Sequence, residues 1–297
     1  SQTLLPNGCV VLIGGEYEDF YDPQFAIYND IIVIDPKGGV KVYAYPKDIF
    51  PPTDFHSAVL IGDAIWVIGG LGYIQDRQYD KTLIYKINIH NFEITKVDAI
   101  NDIGLIHHHI ADVDNHQILV KEGEILVNIH PLIDGEFSYK NMNTWAFDTK
   151  NLIWKNATNY QWCGFFIRPK TIQEFYFWEF NQLVWNMEYY QGKTEFDEII
   201  KDWINELSDC LGSCPNIQAY RNLYTLPMEF KLQDSEEFRT TIISIDGIKV
   251  RCIENEYFEV YIEGQLAKNK LAMLKHHFCQ TLALMVNSPC EIGDLPK

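Results

Sequence analysis

Between Phe50 and Gly70 the chain reads FPPTDFHSAVLIGDAIWVIGG, and its apolar residues fall into two short runs parted by Gly62-Asp63. Short runs rich in Val and Ile are strand-like. A Gly-Asp pair between them predicts a two-residue hairpin, because glycine supplies the positive φ such turns demand. The second run stops on Gly69-Gly70, a pair suited to a place where backbone passes close to backbone and no Cβ fits.

The same layout recurs in phase. Ser1 to Gly15, His56 to Gly70 and His109 to Gly123 each span fourteen positions, with Asn7-Gly8 and Asp114-Asn115 at the turn of the first and third. A variable stretch follows each glycine, and then further strand-like runs begin at Tyr28, Thr82 and Asn143. The leading runs end on the polar residues Asp35, Asn88 and Asp148, and a late tryptophan, Trp154, follows in the third copy.

A spacing of fifty-odd residues with these marks resembles the kelch repeat, the four-stranded blade of a β-propeller. The resemblance covers about residues 1–157 and implies a partial kelch-like β-propeller of three blades, akin to the central domain of galactose oxidase. It has departures. The third copy has Glu122-Gly123 in place of a glycine pair, and Ser1 stands where the others have His56 and His109. Propellers usually close with four or more blades. Either earlier blades precede residue 1, or later residues build another blade, or something else caps the ring.

Beyond the repeats, residues 158–192 are unusually aromatic, with β-like runs at 163–167, 172–180 and 183–190. They read as a degenerate fourth blade or a β-rich bridge. Residues 193–297 read as a small α+β domain. Thr194 is expected as the N-cap of a helix whose stripe runs from Phe196 through Ile200, Trp203 and Leu207 to Leu211, with Gly212 ending it. Strands are expected at 228–232, 238–245, 248–253 and 257–263, with Asp246-Gly247 as a tight turn, and a last helix from Ala267 to Met285. The fold class is thus mainly β with a C-terminal α+β module.

Charge narrows the partners. The chain carries 24 basic against 41 acidic side chains, a net charge of −17, and both halves are acidic. Phosphate backbones and anionic membranes both need a basic face, so neither nucleic acid nor membrane is expected. A basic protein partner fits. The seven cysteines are scattered, mostly inside apolar runs, which makes a reducing, cytoplasmic setting the simplest reading, although Cys210 and Cys214 are close enough in sequence to invite a disulfide.

His107-His108-His109 with His116 is the loudest polar cluster, since on a strand His107 and His109 would share a face. No carboxylate or cysteine joins them at ligand spacing, so no metal and no cofactor is expected. His276-His277 reads as surface. The kelch resemblance also admits an oxidase or a sugar mutarotase at the propeller mouth, where Glu16 would lie, but no tyrosine, cysteine or histidine here matches the oxidase site. A carbohydrate-active enzyme is therefore the alternative. The leading expectation is a non-catalytic recognition protein that binds a basic protein through the loops 16–30 and 71–80. Tyr17, Asp19, Tyr21, Asp22, Tyr73, Asp76 and Asp80 are its candidate contacts. A bacterial antitoxin, or immunity protein, is one such binder by analogy.

Overall fold

The computed structural model describes residues 1–19, 22–128, 130, 132–133, 135–233 and 235–296, without the side chains of 18, 19 and 22–24. The chain divides into two compact units, Ser1–Asn159 and Tyr160–Lys297. It is mainly β, built of antiparallel sheets, with helices in the second unit.

In the first unit each repeat folds as a four-stranded meander. Strands β1 (Gln2–Leu4), β2 (Val10–Asp19), β3 (Asp22–Ile34) and β4 (Val40–Tyr43) form the first sheet in that order. Strands β5 (Ser57–Ile61), β6 (Ala64–Ile68), β7 (Ile84–Asn88) and β8 (Ile94–Val97) form the second. The third copy is interrupted. Its chain runs β9 (Leu105–His107), β10 (Ile110–Asp114), β11 (Gln117–Lys121), β12 (Glu124–Val127), β13 (Phe137–Lys140), β14 (Trp145–Asp148) and β15 (Ile153–Asn156). The order β10-β11-β14-β15 repeats the meander, while β13-β12-β9 makes a separate three-stranded sheet.

Local chemistry explains the repetition. Ile61 pairs with Ala64 around Gly62, whose φ is 57°, as a two-residue hairpin requires. The third hairpin closes one residue later than expected, on Asn115 and His116, since Asp114 pairs with Gln117. Asn115 takes φ 57° there, a left-handed value that asparagine tolerates. The polar residues ending the third strand of each meander fold the turn into the fourth. Asp35 Oδ1 accepts from the Lys37 and Gly39 amides at 2.7 and 3.1 Å, and Asn88 Oδ1 from His90 at 2.8 Å. Asp148 Oδ1 does the same for Lys150 and Asn151 at 2.9 and 3.0 Å.

The glycine pairs join one repeat to the next. The Gly15 amide donates to the Thr53 carbonyl at 3.0 Å, and the Gly70 amide to the Ile106 carbonyl at 2.8 Å. Gly14 and Gly69 sit at φ 55° and 62°. A Cβ at Gly69 would overlap the Ile106 carbonyl and lie 2.8 Å from His109 Cε1; at Gly14 it would overlap the Thr53 carbonyl and lie 3.2 Å from His56 Cε1. His56 and His109 are thus the residues that the following repeat packs onto the glycine. Both are buried. Burial holds their imidazoles neutral, at pKa values of about 3 and about 4. A common core including Val11, Ile13, Ile31, Phe50, Ile65 and Tyr85 draws on the first two sheets.

The second unit comprises β16 (Trp162–Pro169), α1 (Phe177–Tyr189), α2 (Phe196–Leu211), α3 (Ile217–Arg221), β17 (Lys231–Gln233), β18 (Thr240–Ile245), β19 (Ile248–Glu254), β20 (Phe258–Glu263), α4 (Lys268–Met285) and β21 (Cys290–Asp294). Its six strands order as β17-β18-β19-β20-β16-β21. Phe165, Ile243, Val250 and Val260 share one core with Phe180, Leu207, Leu274 and Phe278 of the helices.

Several expectations are corrected here. The stretch 158–192 does not make a blade or a separate bridge: β16 inserts between β20 and β21, and the runs read as strands at 172–180 and 183–190 supply α1. Phe177, Phe180 and Leu183 recur on its buried side. Glu195, not Thr194, stands at the N-cap of α2 without a side-chain capping bond, whereas Gly212 ends it at φ 65° as expected. Asp246 and Gly247, at φ 53° and 78°, form the expected turn. His277 is half-buried, its Nε2 bonding to the Leu223 carbonyl at 3.0 Å. Cys210 and Cys214 are not joined in a disulfide. Among the described residues no helix is long and apolar enough to cross a membrane.

Candidate functional site

Strand β1 pairs with β2 only from Val10 to Leu12, and β4 pairs with β3 only from Ile31 to Ile34. Beyond that point β2 and β3 pair only with each other, through Gly15↔Tyr28, Glu16↔Ile27, Tyr17↔Ala26 and Asp19↔Asp22. Residues 16–19 and 22–30 are therefore the two strands of a ribbon and not the open loop that their composition suggests. The pairing register shifts twice along it, between Ile13 and Gly15 and between Tyr17 and Asp19.

The 71–80 segment lies against this ribbon. Its short 3-10 turn, Ile74–Asp76, follows Tyr73, whose hydroxyl oxygen accepts a 2.9 Å hydrogen bond from the Ile27 amide. Ile27 is buried and has no β-neighbour on that side, so Tyr73 satisfies an amide that would otherwise be orphaned. At the ribbon's base the Tyr28 carbonyl accepts from the Thr53 amide at 3.1 Å.

The candidate contacts fall out unevenly on this frame. Tyr17 is exposed on the ribbon. Asp19 and Asp22 pair at its end, with side chains outside the described set, and Tyr21 lies outside the described residues altogether. Tyr73 is half-buried as a strut, Asp76 is ion-paired with Lys47 at 2.5 Å, and Asp80 is exposed. Glu16 lies within β2 opposite Ile27. Sequence reading missed Phe25 and Tyr28. With Tyr17 they are 45, 43 and 45% exposed, and strand alternation sets Tyr17 and Tyr28 on one ribbon face and Phe25 on the other. Their signal was present, as aromatics spaced along a segment with strand-like pairing partners.

A second polar group involves the histidines. His108 takes φ 53°, which breaks the strand after His107 and carries His109 away. The expected shared face of His107 and His109 therefore does not form, and exposed His116 lies in the turn at the far end of β10. His107 Nδ1 and His108 Nδ1 are 2.7 Å apart, and His107 Nε2 lies 3.0 Å from Ser138 Oγ. Phe55 stacks on His108 at 3.8 Å between ring centres. Burial lowers the His107 pKa to about 4, far below the range of an effective general base at neutral pH. The group is better suited to bracing β9 to β13 across β12 than to deprotonating Ser138. Nearby, Glu136 accepts from Arg77 Nη1 and from the Tyr79 hydroxyl, each at 2.5 Å, so Arg77 is spent on an internal pair. Among the described residues no group of three or more His, Cys, Asp or Glu is placed to hold a metal ion.

Compared with known proteins, the chain matches no family model, and its sequence matches no curated protein.

Proposed function

We propose that this chain is a recognition protein that binds a basic protein partner, with the ribbon of β2–β3 and the adjoining 71–80 segment as the contact surface. The first unit is, in this reading, a partial kelch-like propeller. Three in-phase meanders, glycine pairs that bond to the next repeat and Asx-type turns before the fourth strand support it.

The observation that carries the functional reading is the ribbon itself. A two-stranded extension that leaves its sheet and carries Tyr17, Phe25 and Tyr28 exposed contributes little to its own core. Tyrosine and phenylalanine in such a place offer large contact area at low entropic cost. Tyr73 fixes the ribbon against the neighbouring segment, which reduces the ordering cost of binding. The net charge of −17 selects a basic partner and steers its approach, over a screening length of roughly 8 Å at physiological ionic strength.

The test is affinity capture followed by kinetics on the recovered protein. The expected result is a stoichiometric basic protein whose association slows with salt. Tyr17→Ser with Phe25→Ser should speed its dissociation about ten-fold or more, the effect of losing ~1.4 kcal/mol of contact. Unchanged dissociation in that double variant would reject the ribbon as the contact surface.

A further inference from the structure

A second surface stands out in the other unit. Trp178, Trp185 and Tyr189 recur at seven- and four-residue steps along α1, on the side opposite Phe177, Phe180 and Leu183, and are 45, 52 and 52% exposed. Trp178 also meets Trp203 of α2 at 6.2 Å between ring centres, and Trp185 stacks on Tyr189 at 4.8 Å. Exposing two indoles and a phenol in one stripe is costly for a surface with no partner.

The charge around this stripe is mostly negative, although Arg221 pairs with Glu188 of α1 at 3.9 Å. Residues 171–216 hold nine carboxylates and two lysines. Glu179 directly follows Trp178 on α1, and Glu206 lies one turn on from Trp203 on α2, so each helix brings a carboxylate beside the paired indoles. Like charges so gathered repel one another until a cation arrives. The far end of the stripe already holds one: Lys193 Nζ lies 3.4 Å from the ring centre of Tyr189 and 4.9 Å from that of Tyr190.

We propose that the Trp178–Tyr189 face of α1, with the adjoining carboxylates of α2, is a docking site for a lysine- and arginine-rich protein segment. The cationic side chains of the partner would lie over the indole faces and pair with Glu179 and Glu206 at the rim. An aromatic face supplies the attraction to a cation, and the carboxylates supply its sign preference. The site uses different residues from the ribbon of the first unit and stands or falls independently of it.

Binding of a fluorescent Arg-Gly repeat peptide to the full chain tests this, with the Glu-Gly repeat of equal length as the opposite probe. The Arg-Gly peptide should bind and quench tryptophan fluorescence, and the Glu-Gly peptide should not. Trp178→Ala at an exposed position should weaken binding about ten-fold, roughly the worth of one desolvated cation–π contact. The pair Glu179→Gln and Glu206→Gln should weaken it comparably and flatten its salt dependence. Asp48→Asn with Asp98→Asn removes the same charge from exposed positions in the first unit and should leave binding within two-fold. An equal loss in that control pair would mean bulk charge alone and overturn the proposal. So would binding insensitive to Trp178→Ala, binding lost on Tyr17→Ser, or retention of a neutral oligosaccharide in place of the peptide.

Discussion

Replacing Gly69 with alanine is the most direct perturbation of how one repeat meets the next. Gly69 stands at φ 62°, where a Cβ costs about 1–2 kcal/mol. That Cβ would also overlap the Ile106 carbonyl oxygen and press on His109 Cε1 at 2.8 Å. The backbone is the rigid partner, so relief requires Ile106 to withdraw and the 2.8 Å bond from the Gly70 amide to break. Leaving those buried groups unpaired costs a further ~1–3 kcal/mol. The combined loss is about 2–5 kcal/mol, equivalent to a fall in Tm on the order of 10 °C for a domain of this size. The third repeat supplies the control. Exposed Glu122 occupies the corresponding position at φ 58° without being glycine. Glu122→Gly should therefore change stability by less than about 1 kcal/mol, since relief of backbone strain offsets the added chain entropy. Urea unfolding followed by circular dichroism reads both. A Gly69→Ala variant within about 0.5 kcal/mol of the parent would refute the close-approach argument.

Two other outcomes follow from the same geometry. His109 has a folded pKa of about 4, below the unfolded value of 6.5, so the unfolded state holds the extra proton between those values. Its contribution is complete above pH 6.5 and is lost as pH falls toward 4, at about 1.4 kcal/mol per pH unit. A His109→Gln variant should show a shallower decline of the urea midpoint over that window, and an identical slope would place His109 in solvent. Tyr73→Phe removes the acceptor for the Ile27 amide and should raise the hydrogen-exchange rate of that amide at least ten-fold, with stability lower by about 1–2 kcal/mol; an unchanged rate would show the bond is not formed.

What could be read from the sequence was what the backbone dictates by residue type. Gly14, Gly69, Asp35, Asn88 and Asp148 mark positions where a positive φ or a side-chain-to-amide bond is required, and each does that job. Helix α1 was missed because Phe, Tyr and Trp carry strand propensity; the steps joining Phe177, Phe180 and Leu183 were the better guide. The histidine face failed on a single torsion, since strand alternation cannot continue through His108 at φ 53°. The sheet β13-β12-β9 was hidden because β9 precedes the third repeat and pairs with β12 inside it. Of the candidate site, the ribbon's aromatics were visible as composition. The bond from Ile27 to Tyr73, which holds the two segments together, joins residues 46 positions apart and leaves no local mark.

If the ribbon and the 71–80 segment contact a basic protein, as proposed, their amides must be shielded when it binds. Hydrogen–deuterium exchange of the chain, alone and saturated with its captured partner, tests this most directly. Slowed exchange is expected in 15–17, 26–28 and 71–80 on binding. Protection elsewhere, with those amides exchanging at their free rates, would contradict it.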